Sequence, residues 1–147
     1  KWTLFPYTTL FRSENITSVK EASGDLDAMT EIIANTPDEF LLYSGDDGLT
    51  LPVLSIGGTG IVSVASHVIG NEMQEMVKNF LEGNLREASK LHGKLLPVMN
   101  ELFAAPSPAP VKTALQLKGL DVGSVRLPLL PLTEEERKRL TAVLELN

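Results

Sequence analysis

Between residues 16 and 83, short β-branched runs alternate with stretches whose apolar positions recur every three to four residues. That alternation predicts strand–helix units on a parallel sheet. Residues 16–20, Ile16-Thr17-Ser18-Val19-Lys20, read as a strand. After the turn Ala22-Ser23-Gly24, Leu26, Met29, Ile32 and Ile33 fall on one face of a helix that Asp25 can cap. Residues 40–43, Phe40-Leu41-Leu42-Tyr43, form a second buried strand, left through Ser44-Gly45-Asp46-Asp47-Gly48 into a short apolar helix over residues 49–54. A third strand, residues 61–64, follows Gly57-Gly58-Thr59-Gly60. Ile69, Met73, Met76, Val77, Phe80 and Leu81 then trace a helical stripe that Gly83 stops.

Beyond Gly83 the strand pattern ends and only helical periodicity remains. Asn84 and Glu87 suggest a capping box for a helix with its apolar face on Leu85, Ala88, Leu91, Leu95, Met99 and Leu102, kinked at Pro97. The proline-rich stretch of residues 105–110 is a stiff connector, and Pro110 suits the first turn of a helix reaching about Lys118 before Gly119. Thr133 with Glu136 caps a last helix carrying Leu140, Val143 and Leu144. The run from Glu134 to Arg139 is its solvated start, with acidic residues placed to suit the helix dipole.

Composition narrows the function classes. A net charge of -6 with a pI near 4.9 offers no basic surface for nucleic acid or anionic lipid, so neither is expected as a partner. The absence of cysteine removes thiol catalysis, disulfides and cysteine zinc sites, and suits a cytoplasmic protein. His67 and His92 lack ligand spacing, so no metal is expected. No apolar run reaches the roughly 20 residues of a membrane span.

The first 13 residues stand apart. Thr3 to Ser13, TLFPYTTLFRS, set Pro6 among aromatic and β-branched residues and give neither periodicity. The segment matches the translation of a common sequencing-adapter oligonucleotide, and is read as a non-native scar. The expected organisation is thus residues 1–13 scar, 14–83 three strand–helix units, and 84–147 a helical region, the whole being a piece of something longer.

Three strand–helix units cannot close a parallel barrel, which takes eight strands at the usual tilt and shear. The expected fold class is α/β, a partial (β/α)8 barrel followed by a helical tail, with Val19, Leu41 and Val62 facing the barrel interior. In such barrels chemistry sits at the carboxy-terminal ends of the strands, where this chain places Lys20, the Gly45-Asp46-Asp47 loop, and Val62 with Ser63. A lysine ending a buried strand would lose water at the barrel rim and become a nucleophile toward a ketone, although a strand-end lysine also commonly snorkels to solvent. Gly57-Gly58-Thr59-Gly60 lacks the lysine of a phosphate loop and precedes a strand, so it reads as a tight turn rather than a phosphate cradle. Asp46 and Asp47, adjacent in a loop opening a helix, read as caps rather than as paired acid–base or metal-binding carboxylates.

Several segments resemble, in order, the dihydrodipicolinate synthase family. VKEASGDL (19–26) is similar to its active-lysine strand and turn, YSGDD (43–47) to the next strand, and GGTGIVSVASHV (57–68) to its eighth strand. FAAPSPAPVKTAL (103–115) and RLPLLPLTEEE (126–136) resemble its helical tail, with Ser107 where the family often has asparagine. The resemblance implies a Schiff-base lyase condensing pyruvate with aspartate semialdehyde in lysine (diaminopimelate) biosynthesis, without a cofactor, in a homotetramer. It implies that Lys20 forms the pyruvate imine, that the backbone at Val62 contacts pyruvate, and that Gly45 lines the same pocket. The family's relay tyrosines, threonine and carboxylate-binding arginine belong to its first five strands, so this chain alone is expected to be inactive. The alternatives are another pyruvate-dependent aldolase, such as an N-acetylneuraminate lyase or a keto-deoxy sugar acid aldolase, and a non-catalytic helical module for oligomerisation.

Overall fold

The computed structural model describes residues 13–145 and divides into two compact units, one through Ser63 and one from Val64. The expectation of an adapter scar falls, apart from Ser13, outside the described residues.

In the first unit a parallel three-stranded sheet is ordered β1 (Ser18–Glu21), β2 (Leu41–Ser44), β3 (Gly60–Ile61). Helix α1 (Leu26–Ala34) links the first two strands; a 3-10 turn (Asp47–Leu49) and α2 (Thr50–Ser55) link the next two. Asp25 starts α1 as expected, its carboxylate accepting the Ala28 N–H at 3.0 Å. The strands differ from the sequence reading in their bounds: β1 begins at Ser18 and continues to Glu21, and β3 is Gly60–Ile61, keeping only Ile61 of the expected residues 61–64.

Because strand side chains alternate, the pairing of Val19 with Leu42 puts both on one face. Met29, Ile32, Leu42 and Val53 form the core of this unit, and Val19, Leu26 and Phe40 pack against it. Val19 thus faces the helices rather than the barrel interior, a correction that follows directly from period two: Lys20, one position on, takes the opposite face. Leu41, whose partner is Ser18, also lies away from the core pair.

The second unit is helical: α3 (Ser66–Leu81), α4 (Leu85–Glu101), α5 (Ala109–Leu117) and α6 (Glu134–Glu145). Helix α3 packs along α4, and α6 packs on both α4 and α5. Met73, Met76, Ala88, Leu95, Met99, Leu102, Ala114 and Leu140 are buried. Within α3 the backbone of Ile69 departs from helical geometry (φ -129, ψ 37), and the Lys118 amine donates at 2.6 Å to the preceding carbonyl, that of Val68. Gly83, at φ 83, closes α3 as expected, with its N–H on the Phe80 carbonyl and the Asn84 N–H on Asn79.

That closure overturns the Asn84–Glu87 capping box. A box needs the cap residue's N–H for the returning carboxylate, and Asn84 has already spent its own at 2.8 Å on Asn79. Glu87 instead pairs with Lys90 at 2.9 Å, and Leu85 is exposed rather than buried. The Thr133–Glu136 box does form: Glu136 accepts the Thr133 N–H at 2.7 Å and its hydroxyl at 2.8 Å. These bonds hold the Glu136 carboxyl below its ordinary range, helped by Arg139. Helix α4 runs through Pro97 to Glu101, and Glu101 pairs with Arg139 of α6 at 3.3 Å.

Candidate functional site

Parallel pairing sets Lys20 of β1 beside Tyr43 of β2, and Tyr43 beside Gly60 of β3. These residues form a row on the sheet face opposite Val19 and Leu42. Gly60 gives the Tyr43 ring ordinary contact distance, since a Cβ there would lie 3.5 Å from Cδ1 and Cε1. Val62 lies two positions beyond Gly60, and its N–H extends the β2–β3 ladder to the Ser44 carbonyl at 2.9 Å. Its side chain is 49% exposed.

Gly45, the first residue after β2, is tied back to β1 by its N–H, which donates to the Glu21 carbonyl at 2.6 Å. It lies hard against the lysine stem: a Cβ on Gly45 would sit 2.8 Å from Lys20 Cε. The sheet therefore brings together Lys20 and Gly45, 25 positions apart in sequence, and carries Val62 on the neighbouring ladder. Lys20 is exposed in this unit. The physical reason is that no layer of described residues covers the face it occupies.

The turn after Lys20 is internally satisfied. The Glu21 carboxylate accepts the Ser23 N–H at 3.1 Å and its hydroxyl at 2.9 Å; the Ser23 oxygen accepts the Asp25 N–H at 3.1 Å; and Asp25 caps α1. Gly24, at φ 77, permits the reversal. The carboxylate nearest to Lys20 in sequence is thus held by the turn, and the turn fixes where β1 ends. This hydrogen-bond chain was not anticipated from the sequence beyond the Asp25 cap.

The other loops resolve along physical lines. Asp46 caps the 3-10 turn, accepting the Gly48 N–H at 2.9 Å, as the capping reading expects. Asp47 is buried at the start of that turn, 1% exposed. The N–H groups of Gly57, Gly58 and Thr59 donate to Leu54, Val53 and Leu42 carbonyls at 3.2, 2.8 and 2.8 Å. With those donors spent, the glycine cluster is a tight turn into β3 and not a phosphate cradle. Gly58 is held against α2, where a Cβ would collide with Val53 Cγ1. Among the described residues no three histidine, aspartate or glutamate side chains gather in a metal-binding group, and no helix is long and apolar enough to cross a membrane.

Comparison with known proteins places this arrangement. The sequence profile of the dihydrodipicolinate synthetase family matches residues 3–147, a span that takes in most of the segment read as an adapter scar. A 4-hydroxy-tetrahydrodipicolinate synthase of Bacillus velezensis is 63% identical over 143 residues, covering 96% of this chain and 50% of that protein. The Bacillus subtilis enzyme of the same name is 64% identical over 130 residues, covering 88% of this chain and 45% of its own length. Among solved structures, dihydrodipicolinate synthase from Bacillus anthracis superposes with a TM-score of 0.90 at 61% identity, over 95% of this chain and 49% of that one. The chain spans about half the length of the curated relatives it matches, and its three parallel strands with their helices are part of a (β/α)8 barrel, followed by a helical tail. The chain belongs to the dihydrodipicolinate synthetase family.

Proposed function

We propose that this chain carries the imine-forming half of a synthase that condenses pyruvate with aspartate semialdehyde in lysine biosynthesis. The observation that carries the reading is the placement of Lys20 near the carboxy-terminal end of a parallel strand, with its stem against the glycine that follows the next strand.

The chemistry this placement supports is nucleophilic. The neutral Lys20 amine attacks the ketone carbon of pyruvate and water leaves, giving an imine. Loss of a methyl proton, with the imine as electron sink, gives an enamine whose terminal carbon attacks the aldehyde of the second substrate. Hydrolysis then returns the lysine. Backbone at Val62 and Gly45 lines the pyruvate pocket in this reading, and no cofactor enters any step. Residues 14–83 supply barrel units and residues 84–147 a helical region that takes part in association of a cytoplasmic homotetramer. The proton relay and the clamp for the second substrate's carboxylate come from barrel strands outside this chain, so the 147 residues alone do not turn over.

The test is made in the full-length protein that contains these residues. Lys20→Ala removes a nucleophile at a strand end and little packing, so the melting curve stays in place while condensation falls by at least ~10³-fold. Turnover of aspartate semialdehyde exceeds that of N-acetylmannosamine; a higher specificity constant for the sugar would replace this reading with that of a sugar-acid lyase.

A further inference from the structure

We infer that Gly45 is a positioning residue for the Lys20 amine, acting by its lack of a side chain. The inference rests on the reading of Lys20 as the imine-forming lysine and extends it to what aims that lysine.

Glycine is usually retained for backbone freedom or for space, and the two can be separated here. The glycines with positive φ are Gly24, Gly57, Gly83, Gly119 and Gly123, so Gly45 adopts a backbone conformation open to any residue. Space is what distinguishes it. A Cβ at this position would meet Ala22 Cβ at 2.6 Å, Lys20 Cε at 2.8 Å and the Glu21 carbonyl at 3.2 Å. Carbon atoms in ordinary contact stand about 3.5–4.0 Å apart, so something must move by roughly 1 Å.

The surroundings decide what moves. Gly45 is pinned by its 2.6 Å N–H bond to Glu21, and Ala22 begins the turn locked by Glu21, Ser23 and Asp25. The lysine stem is the softest neighbour, being an exposed chain of single bonds. A methyl group at position 45 therefore swings Cε, and the amine attached to it, off the line it now holds. In the native chain the flat face of Gly45 is the surface against which the stem rests, and it limits the rotamers available to the amine. Attack on a ketone depends on that aim, because small misplacements of a reacting group cost large factors in rate.

The experiment uses the 147-residue chain incubated with pyruvate and borohydride, following the mass gain at Lys20 with time and pyruvate concentration. Four forms are compared: unaltered, Gly45→Ala, Ala22→Gly, and the double variant. Gly45→Ala lowers the maximal trapping rate per folded chain by about ten- to a hundred-fold, with the half-saturating pyruvate concentration little changed. Ala22→Gly alone traps like the unaltered chain. The double variant removes the clash with Ala22 and keeps the one with Lys20, so it regains the melting temperature of the unaltered chain while its trapping stays slow. Recovery of trapping together with stability in the double variant would overturn the inference, since the clash with Ala22 alone would then explain the loss. Undiminished trapping in Gly45→Ala would overturn it outright. A missing adduct at Lys20 in the unaltered chain would overturn the imine reading itself, and this inference with it.

Discussion

His92, half-buried on α4, has its Nδ1 enclosed without a hydrogen-bond partner among the described residues. Burial lowers its pKa from the usual 6.5, because the charged ring would have to be desolvated. The unfolded chain then binds a proton at a higher pH than the folded chain does. Stability is therefore untouched by this residue well above pH 6.5 and declines as pH falls through 6.5 toward the lower folded value. His92→Gln flattens that decline, and unfolding curves taken from neutral to mildly acidic pH check it; an unchanged slope would remove His92 from the account. The same scale shows how far single residues were readable. Lys20 stood out through its family resemblance, and Asp25 and Asp46 through cap chemistry. The exposure of Lys20 and its contact with Gly45 depend on what lies across the sheet, 25 residues away in sequence, and no local pattern encodes that.

At the scale of elements, most helices followed from apolar periodicity and their ends from caps. The two proposed capping boxes separate on one physical point. Thr133 has a free N–H for Glu136, whereas that of Asn84 is consumed by the closure of α3 at Gly83. A box motif placed directly after a glycine stop competes with that stop for the same donor, which the spacing of the motif alone does not reveal. The strands were less legible. Short strands buried on the helix side, such as β2, share their apolar run with many alternatives, and pairing register rather than hydrophobicity fixed β1 at Ser18–Glu21. The turn between β1 and α1 offers a direct check. Asp25→Ala removes the acceptor for the Ala28 N–H and costs about 1 kcal/mol of stability. A loss read from denaturant midpoints well below half that value would mean that the Glu21–Ser23 bonds hold the turn without the cap.

At the scale of the molecule, the three parallel strands leave two edges unpaired among the described residues, and the row of Lys20, Tyr43 and Gly60 faces away from the helices that cover the other side. The relatives it matches are about twice as long as this chain. The sequence showed the partial barrel because three strand–helix units and a helical tail cannot close one; it misassigned Val19 to the interior because alternation tells which residues of a strand share a face and not which face the helices cover. The central claim is that Lys20 is the residue that joins to pyruvate. The most direct measurement is to treat the 147-residue chain with pyruvate and borohydride, digest it, and locate the reduced adduct by peptide mass. The account predicts one modified peptide, containing Lys20, and no condensation product when aspartate semialdehyde is added; an adduct on any other lysine, or product formed by this chain alone, would contradict it.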